Sequence, residues 1–233
     1  MKQLLFYFFG LLLLSSCNQR MGSGNIVTEK RQTGDFEGIS VGGAFAVEIK
    51  KGPVTEVEVE ADDNVISFIE TKVSGNVLKI STKNGTGFNN AHFKVYITAP
   101  EINSFNASGA AKVKVTGQMK SEGKITLDVS GAAGITLSVD APEVFAEVSG
   151  AGYIEMSGRT KDYTAKVSGS GNLKSGDLSS ENTDVRASGA GTARVHASVN
   201  LKADANGAGN IYYKGGANVQ QKTSGAGNVK NEN

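Results

Sequence analysis

Tryptophan is absent from the sequence, proline occurs three times, histidine twice and cysteine once. A single cysteine rules out an intramolecular disulfide. So little proline excludes a proline-rich linker, and the glycines follow no Gly-X-Y period, which excludes collagen. The two histidines, His92 and His196, stand apart with no companion at metal-ligand spacing, so each reads as a solvated or hydrogen-bonded side chain. Charge of one sign is also missing: 24 basic residues face 23 acidic ones. A chain so balanced has no electrostatic footprint for nucleic acid or for an acidic membrane surface. What is abundant is glycine, 30 of 233 residues or about 13%, against a usual share of roughly 7%.

The first residues carry a processing signal. Lys2 supplies a positive start, LLFYFFGLLLL (4–14) an apolar stretch, and LSSC (14–17) follows. A spanning helix needs about 20 apolar residues, so this stretch is a leader and not a membrane span. Leucine, two small residues and cysteine resemble a bacterial lipobox. That resemblance implies cleavage before Cys17, a diacylglycerol on its thiol and an acylated new N-terminus. Two or three acyl chains anchor a protein stably where one does not. The alternative is an ordinary secretory leader with an incidental cysteine. On the lipobox reading, residues 1–16 are removed, Cys17 anchors the chain to a membrane, and the mature protein carries 23 charges of each sign.

Residues 17–33 are polar and read as a lipidated tether or a loosely paired first strand. From 34 to 104, FEGISV (36–41), AFAVEIKK (44–51), VTEVEVEA (54–61), VLKIST (77–82) and FKVYITA (93–99) alternate branched or aromatic residues with polar ones. Such alternation predicts strands with one wet face. DDNVISFIETKV (62–73) opens with helix-capping residues and predicts a short helical turn before Gly75. Breaks fall at Gly52-Pro53, Gly75-Asn76 and Asn84 to Asn90.

From Phe105 a repeat takes over. Turns such as SGAGYI (149–154), SGSGNL (168–173) and SGAGNV (224–229) place a first glycine at Gly109, Gly131, Gly150, Gly169, Gly189, Gly207 and Gly225. Seven copies at a period near 19 residues indicate a solenoid. Two residues before each glycine stand Ala107, Val129, Val148, Val167, Ala187, Ala205 and Thr223; the residues between are charged or amide-bearing. Four residues after it stand Val113, Ile135, Ile154, Leu173, Ala193, Ile211 and Val229. This fixed period-two phase predicts strands that stack on their own copies as a parallel β-helix of about seven coils, roughly 30 Å tall. Glycine lets each corner turn sharply without collisions up the stack. The residue before it, usually serine (Ser108, Ser130, Ser149, Ser168, Ser188, Ser224), predicts a ladder of side-chain hydrogen bonds along the corner.

None of these turns continues to Gly-Lys-Ser/Thr, so they are no phosphate cradle. Calcium-binding β-rolls need aspartate after the turn, where this chain has Asn172, Asn210 and Asn228. The outward column Asp128, Glu147, Lys166, Arg186, Asp204 and Lys222 reads as a solvated face and not a catalytic cluster. No catalytic residue, metal site or cofactor is expected. Tyr153, Tyr163, Tyr212 and Tyr213 are candidates for stacking on a ligand, with Tyr163 and Tyr213 in inward phase.

The start GDFEGISVGGAFAVEIKKG (34–52), VLKIST (77–82) and the repeated turns over 109–229 together resemble the head-GIN domain family of auto-transporter adhesin-like lipoproteins of Bacteroidetes. The resemblance implies a right-handed β-helix in the cell envelope and no catalytic residues. The expected organisation is a 1–16 leader, a 17–33 tether, an N-terminal β section over 34–104 and a repeat β-helix over 105–233, with 34–233 as one continuous head-GIN domain. The expected function is a non-enzymatic lipoprotein of the outer membrane, presenting a rigid solenoid for adhesion or assembly. No acidic residue follows Cys17 before Glu29, which favours the periplasmic side over the cell surface. A glycan-binding or glycan-cleaving β-helix is the second expectation. Self-association through the unpaired C-terminal edge near Asn228–Lys230 is a third.

Overall fold

The computed structural model describes residues 19–83 and 86–233; the leader, Cys17, Asn84 and Gly85 lie outside them. The repeats form parallel strands, each bonded to its own copy one coil away. β10 (Ser104–Gly109), β12 (Lys124–Val129), the second halves of β13 (Gly134–Gly150), β14 (Tyr153–Gly169) and β15 (Asn172–Ala187), then β17 (Asn200–Gly207) and β19 (Asn218–Gly225) build one face. β11 (Lys112–Lys120), the first halves of β13, β14 and β15, then β16 (Thr192–His196), β18 (Asn210–Lys214) and β20 (Asn228–Asn231) build the other. The glycine corner joins the faces. The all-β solenoid follows from the period-two pattern: Val129, Val148, Val167 and Ala187 point inward from one face, Ile135, Ile154 and Leu173 from the other, and all are buried.

The coils do not begin at Phe105. β3 (Gly38–Gly43) lies parallel under β10, with Ile39 against Phe105 and Gly43 against Gly109. β4 (Ala46–Lys51) lies in the same way under β11. Below them, β7 (Val77–Thr82) and β9 (Phe93–Ala99) add one more parallel layer to each face. The N-terminal section is therefore the base of the same solenoid.

That base is closed by antiparallel strands. β6 (Ile69–Ser74) pairs with β7 through a hairpin in which Gly75 and Asn76 both have positive φ, +61° and +63°. On the other face β5 (Glu56–Asp62) pairs with β9, and β2 (Ile26–Arg31) with β5. Only Ile66–Phe68 of the expected helical turn is helical, as a single 3-10 turn. The residues after it join β6, because the ladder to β7 satisfies their backbone groups better than a lone helical turn can. Val54 falls outside β5 and is 61% exposed. Within the expected break at Asn84–Asn90, Gly87–Asn89 forms β8, parallel to β1 (Gln19–Met21). The polar stretch after Cys17 is thus paired into sheet from Gln19 onward.

The core is thin and mostly aliphatic, and it turns polar towards the C-terminus. Phe105 and Leu127 occupy positions that become Ala146, Ala165 and Ala203 in later coils. In the last coil the equivalent position is Gln221, Thr223 stands above Ala205, and all of β19 is exposed. Midway, the buried Tyr163 hydroxyl donates to Ser175 Oγ at 2.9 Å, and Ser175 donates to the Arg194 carbonyl at 2.8 Å. Ser175 breaks the apolar column, and the two bonds satisfy it there. Burial pushes the Tyr163 phenol well above its ordinary range.

Candidate binding groove

At the corner, each of the seven glycines has positive φ, between +68° at Gly207 and +92° at Gly150. The residue after each glycine donates its N–H to the carbonyl of the glycine one coil below, as Ser170 does to Gly150 at 2.8 Å. The serines act differently from the expected ladder. Ser108, Ser149 and Ser188 donate to the carbonyls of Val41, Val129 and Val167 in the coil beneath, at 3.2–3.4 Å. Coil spacing holds the hydroxyls too far apart to reach one another, whereas a carbonyl of the lower coil lies within reach. Cys17 lies outside the described residues.

A second set of side chains stacks seven residues before the glycine. Asn182 Nδ2 donates to Asp162 Oδ1 at 2.9 Å, and Asn200 Nδ2 donates to Asn182 Oδ1 at 2.8 Å. Asn218 continues the column one coil higher. The column is visible in the sequence once the repeats are aligned on glycine, but its residues are polar and lie outside the apolar pattern.

The outward charged column does not pair with itself. Ion pairs on that face run instead from Asp184 to Arg186 and to Lys202, each at 3.5 Å, and from Lys124 to Glu143 at 2.8 Å. Lys166 lies over the Phe145 ring at 5.0 Å. Of the tyrosines, Tyr163 is core and Tyr213 is half-buried against it. The Tyr153 ring covers Gly134, where a Cβ would sit 2.3 Å from it. Tyr212 lies 4.7 Å beneath the Arg194 guanidinium. His92 Nε2 meets Glu60 Oε1 at 2.7 Å, and the His196 carbonyl accepts from Thr183 Oγ1 at 2.8 Å. Among the described residues, no three His, Cys, Asp or Glu side chains converge as a metal ligand set.

A concavity of about 810 Å³ runs across the β11–β20 face. It crosses the coils from β11 to Glu232, a span of roughly 30 Å. Val115, Leu137 and Met156 lie behind it as core side chains, whereas Glu155, Lys174 and Arg194 stand one above another in a single outward column, with Asp177, Lys214 and Glu232 also lining the groove. Arg194 Nε stands 3.7 Å from Glu232 Oε2. Two register slips create the groove: one between Lys114 and Gln118 against β13, the other between Glu155 and Ser157 against β15. Each inserts extra residues that bend the strand and open the ladder, a device often found beside binding sites. Gly117, at φ +84°, makes the first bulge, and Gly176 belongs to the second. Gly176 has an ordinary φ, and a Cβ there would meet nothing within 4 Å, so neither conformation nor packing demands glycine. Its smallness keeps the groove open. The sequence signal was the glycine spacing, 22 residues from Gly109 to Gly131 and 20 from Gly169 to Gly189, against 18 or 19 elsewhere.

The groove lies on a scaffold shared with known structures. A "putative adhesin" from Bacteroides fragilis superposes with a TM-score of 0.85 at 21% identity, covering 91% of this chain and 99% of its own. A "putative adhesin" from Parabacteroides distasonis gives 0.75 at 26% identity, with 92% and 100% coverage. A "putative lipid binding protein" from the same species gives 0.69 at 20% identity, with 92% and 100% coverage. No functionally curated protein matches the chain. Residues 35–217 match the family described as "Putative auto-transporter adhesin, head GIN domain", and the chain belongs to that family.

Proposed function

We propose that the protein is a non-enzymatic lipoprotein of the bacterial cell envelope, held in the outer membrane through lipid on Cys17, facing the periplasm. It presents the solenoid as a rigid adhesion or assembly module, and the groove beside Gly176 is its ligand surface. The observation that carries this reading is the parallel stacking of the β11–β20 face, whose coils stay in register on either side of the two bulges that shape the groove. Side chains stand at fixed intervals of roughly 4.8 Å on a ladder whose neighbours hold one another in place. Such a surface binds an extended partner without moving, so little ordering entropy opposes binding. Its family and two of the structural relatives above are described as "putative adhesin".

The length and polarity of the groove favour a glycan chain as that partner. Charges of both signs together with Thr136, Ser138 and Ser157 suit the hydroxyl groups of successive sugars. Residues 17–233 on a glycan array are expected to bind one class of saccharide, and Gly176→Trp, which fills the groove, is expected to remove that binding. Binding that survives the tryptophan would place the ligand surface elsewhere. Fatty-acid labelling of cells is expected to mark the protein and to fail with Cys17→Ala. Protease added to intact cells is expected to leave the chain uncut; cleavage would put it on the surface.

A further inference from the structure

Between Cys17 and Gln19, the first residue of β1, there is one residue. Fully extended, that link reaches about 7 Å. From Gln19 onward the chain is fixed in the fold: β1 pairs with β8, and Gly22 N donates to the Asn89 carbonyl at 3.2 Å. Next, Ser23 and Asn25 bond the Asp63 carboxylate at 2.6 and 2.8 Å, and Gly24 N donates to Asp62 at 2.7 Å. A lipid on Cys17 therefore has no tether. It draws the base of the solenoid to within one side chain's length of the bilayer.

The side chains at that base suit such a surface. Met21 and Ile26 are large, apolar and exposed, at 64% and 45%. Phe68 and Phe88, both half-buried, meet edge to face at 5.9 Å, and Phe88 meets Phe93 at 5.2 Å. Two cations flank the Phe68 ring, Arg20 at 4.6 Å and Lys83 at 5.7 Å. Apolar and aromatic groups beside basic ones match the boundary between acyl chains and phosphate headgroups, where the rings enter and the cations meet phosphate. At the opposite end the last coil is polar, with exposed Gln220, Gln221 and Lys222.

We infer that the β1–β8 base docks directly on the phospholipid surface, so that the solenoid stands on its N-terminal end with β19 and β20 farthest from the membrane. This rests on the reading that Cys17 carries lipid. With nine parallel layers from β7 to β19, the far end stands roughly 40 Å above the base. The chain has no tryptophan, so one introduced residue reports a single place. The test uses the full-length protein, lipidated in cells, purified and reconstituted into vesicles of phosphatidylethanolamine and phosphatidylglycerol with brominated acyl chains. Met21→Trp and Val219→Trp alter exposed positions at the two ends. Fluorescence of Met21→Trp is expected to fall by about twofold or more against unbrominated vesicles, and that of Val219→Trp to stay unchanged. Equal quenching at both ends would mean that the solenoid lies on its side, and no quenching at either that it stands clear; both overturn the docking. Fatty-acid labelling of the same samples separates the two failures. Labelled but unquenched protein refutes the docking alone, and unlabelled protein refutes the anchor with it.

Discussion

At Gly169 a single hydrogen atom in place of a side chain decides whether two coils can meet. Its φ is +82°, and a Cβ built there would lie 2.6 Å from the Gly150 carbonyl oxygen. That oxygen also accepts the Ser170 N–H, so it cannot move away without breaking the ladder. Gly169→Val combines left-handed strain with a clash against backbone, and is expected to cost more than about 2 kcal/mol. Gly176→Ala, with open space and ordinary φ, is expected to stay within about 0.5 kcal/mol. Urea midpoints of the two variants check the contrast; equal losses would mean that the corners are not held in register. Tyr163 makes a different point. Tyr163→Phe removes one buried donor but leaves Ser175 bonded to the Arg194 carbonyl, so the expected loss is about 1 kcal/mol. Because burial raises the phenol's pKa, its contribution is complete below the unfolded value of about 10 and lost as pH climbs from there. Wild type is therefore expected to lose stability above pH 10 more steeply than Tyr163→Phe, measured by urea unfolding at a series of pH values.

Strands and corners are differently legible. VLKIST and FKVYITA coincide with β7 and β9 residue for residue, because alternation is a direct consequence of one face being buried. The corner at Gly43 escapes a search by period, since 66 residues separate it from Gly109 and the intervening chain builds the base. The antiparallel cap escapes as well: alternation marks a strand but carries no sign of its partner's direction. The groove is half legible, as glycine spacing reveals extra residues while only pairing shows which face they distort. The cap also depends on one carboxylate. Asp62, at the end of β5 and buried, accepts from His92 N and Gly24 N, both at 2.7 Å, and so joins β1, β2, β5 and β9. Those two backbone N–H groups, His92's first, hold its pKa below the ordinary aspartate value of 3.8. Its contribution is therefore present above pH 3.8 and lost as pH falls through the lower folded value. Asp62→Asn turns an amide N–H towards one of the two donors. Hydrogen exchange at Gly24 and His92 is expected to quicken in that variant at neutral pH, while Val148 and Val167 stay protected. Unchanged exchange at Gly24 would show that β8 alone holds the first strand.

The two ends of the molecule are not complementary, and this bears on how copies can associate. At the top both faces finish level, with β19 and β20 one layer above β17 and β18. At the base one face carries a single extra strand, β6, while the other carries two, β5 and β2. The base therefore has a step of roughly 4.8 Å that a level top cannot fill. A head-to-tail stack would leave one face unpaired at every junction, and an open-ended filament needs that heterologous contact repeated. Two level tops can instead meet about a twofold axis, where the upper edges of β19 and β20 bond their own copies and only the stepped bases face outward. The exposed Gln220, Gln221 and Lys222 make such a contact weak. Light scattering of the unlipidated mature chain is expected to show monomer, passing to dimer and nothing larger as concentration approaches the millimolar range. Replacing Gln221, whose backbone lies mid-edge, with proline removes a ladder donor and is expected to hold the protein monomeric. Species heavier than a dimer would show that the stepped base accepts a partner, and the docking of that base on a membrane would then compete with assembly.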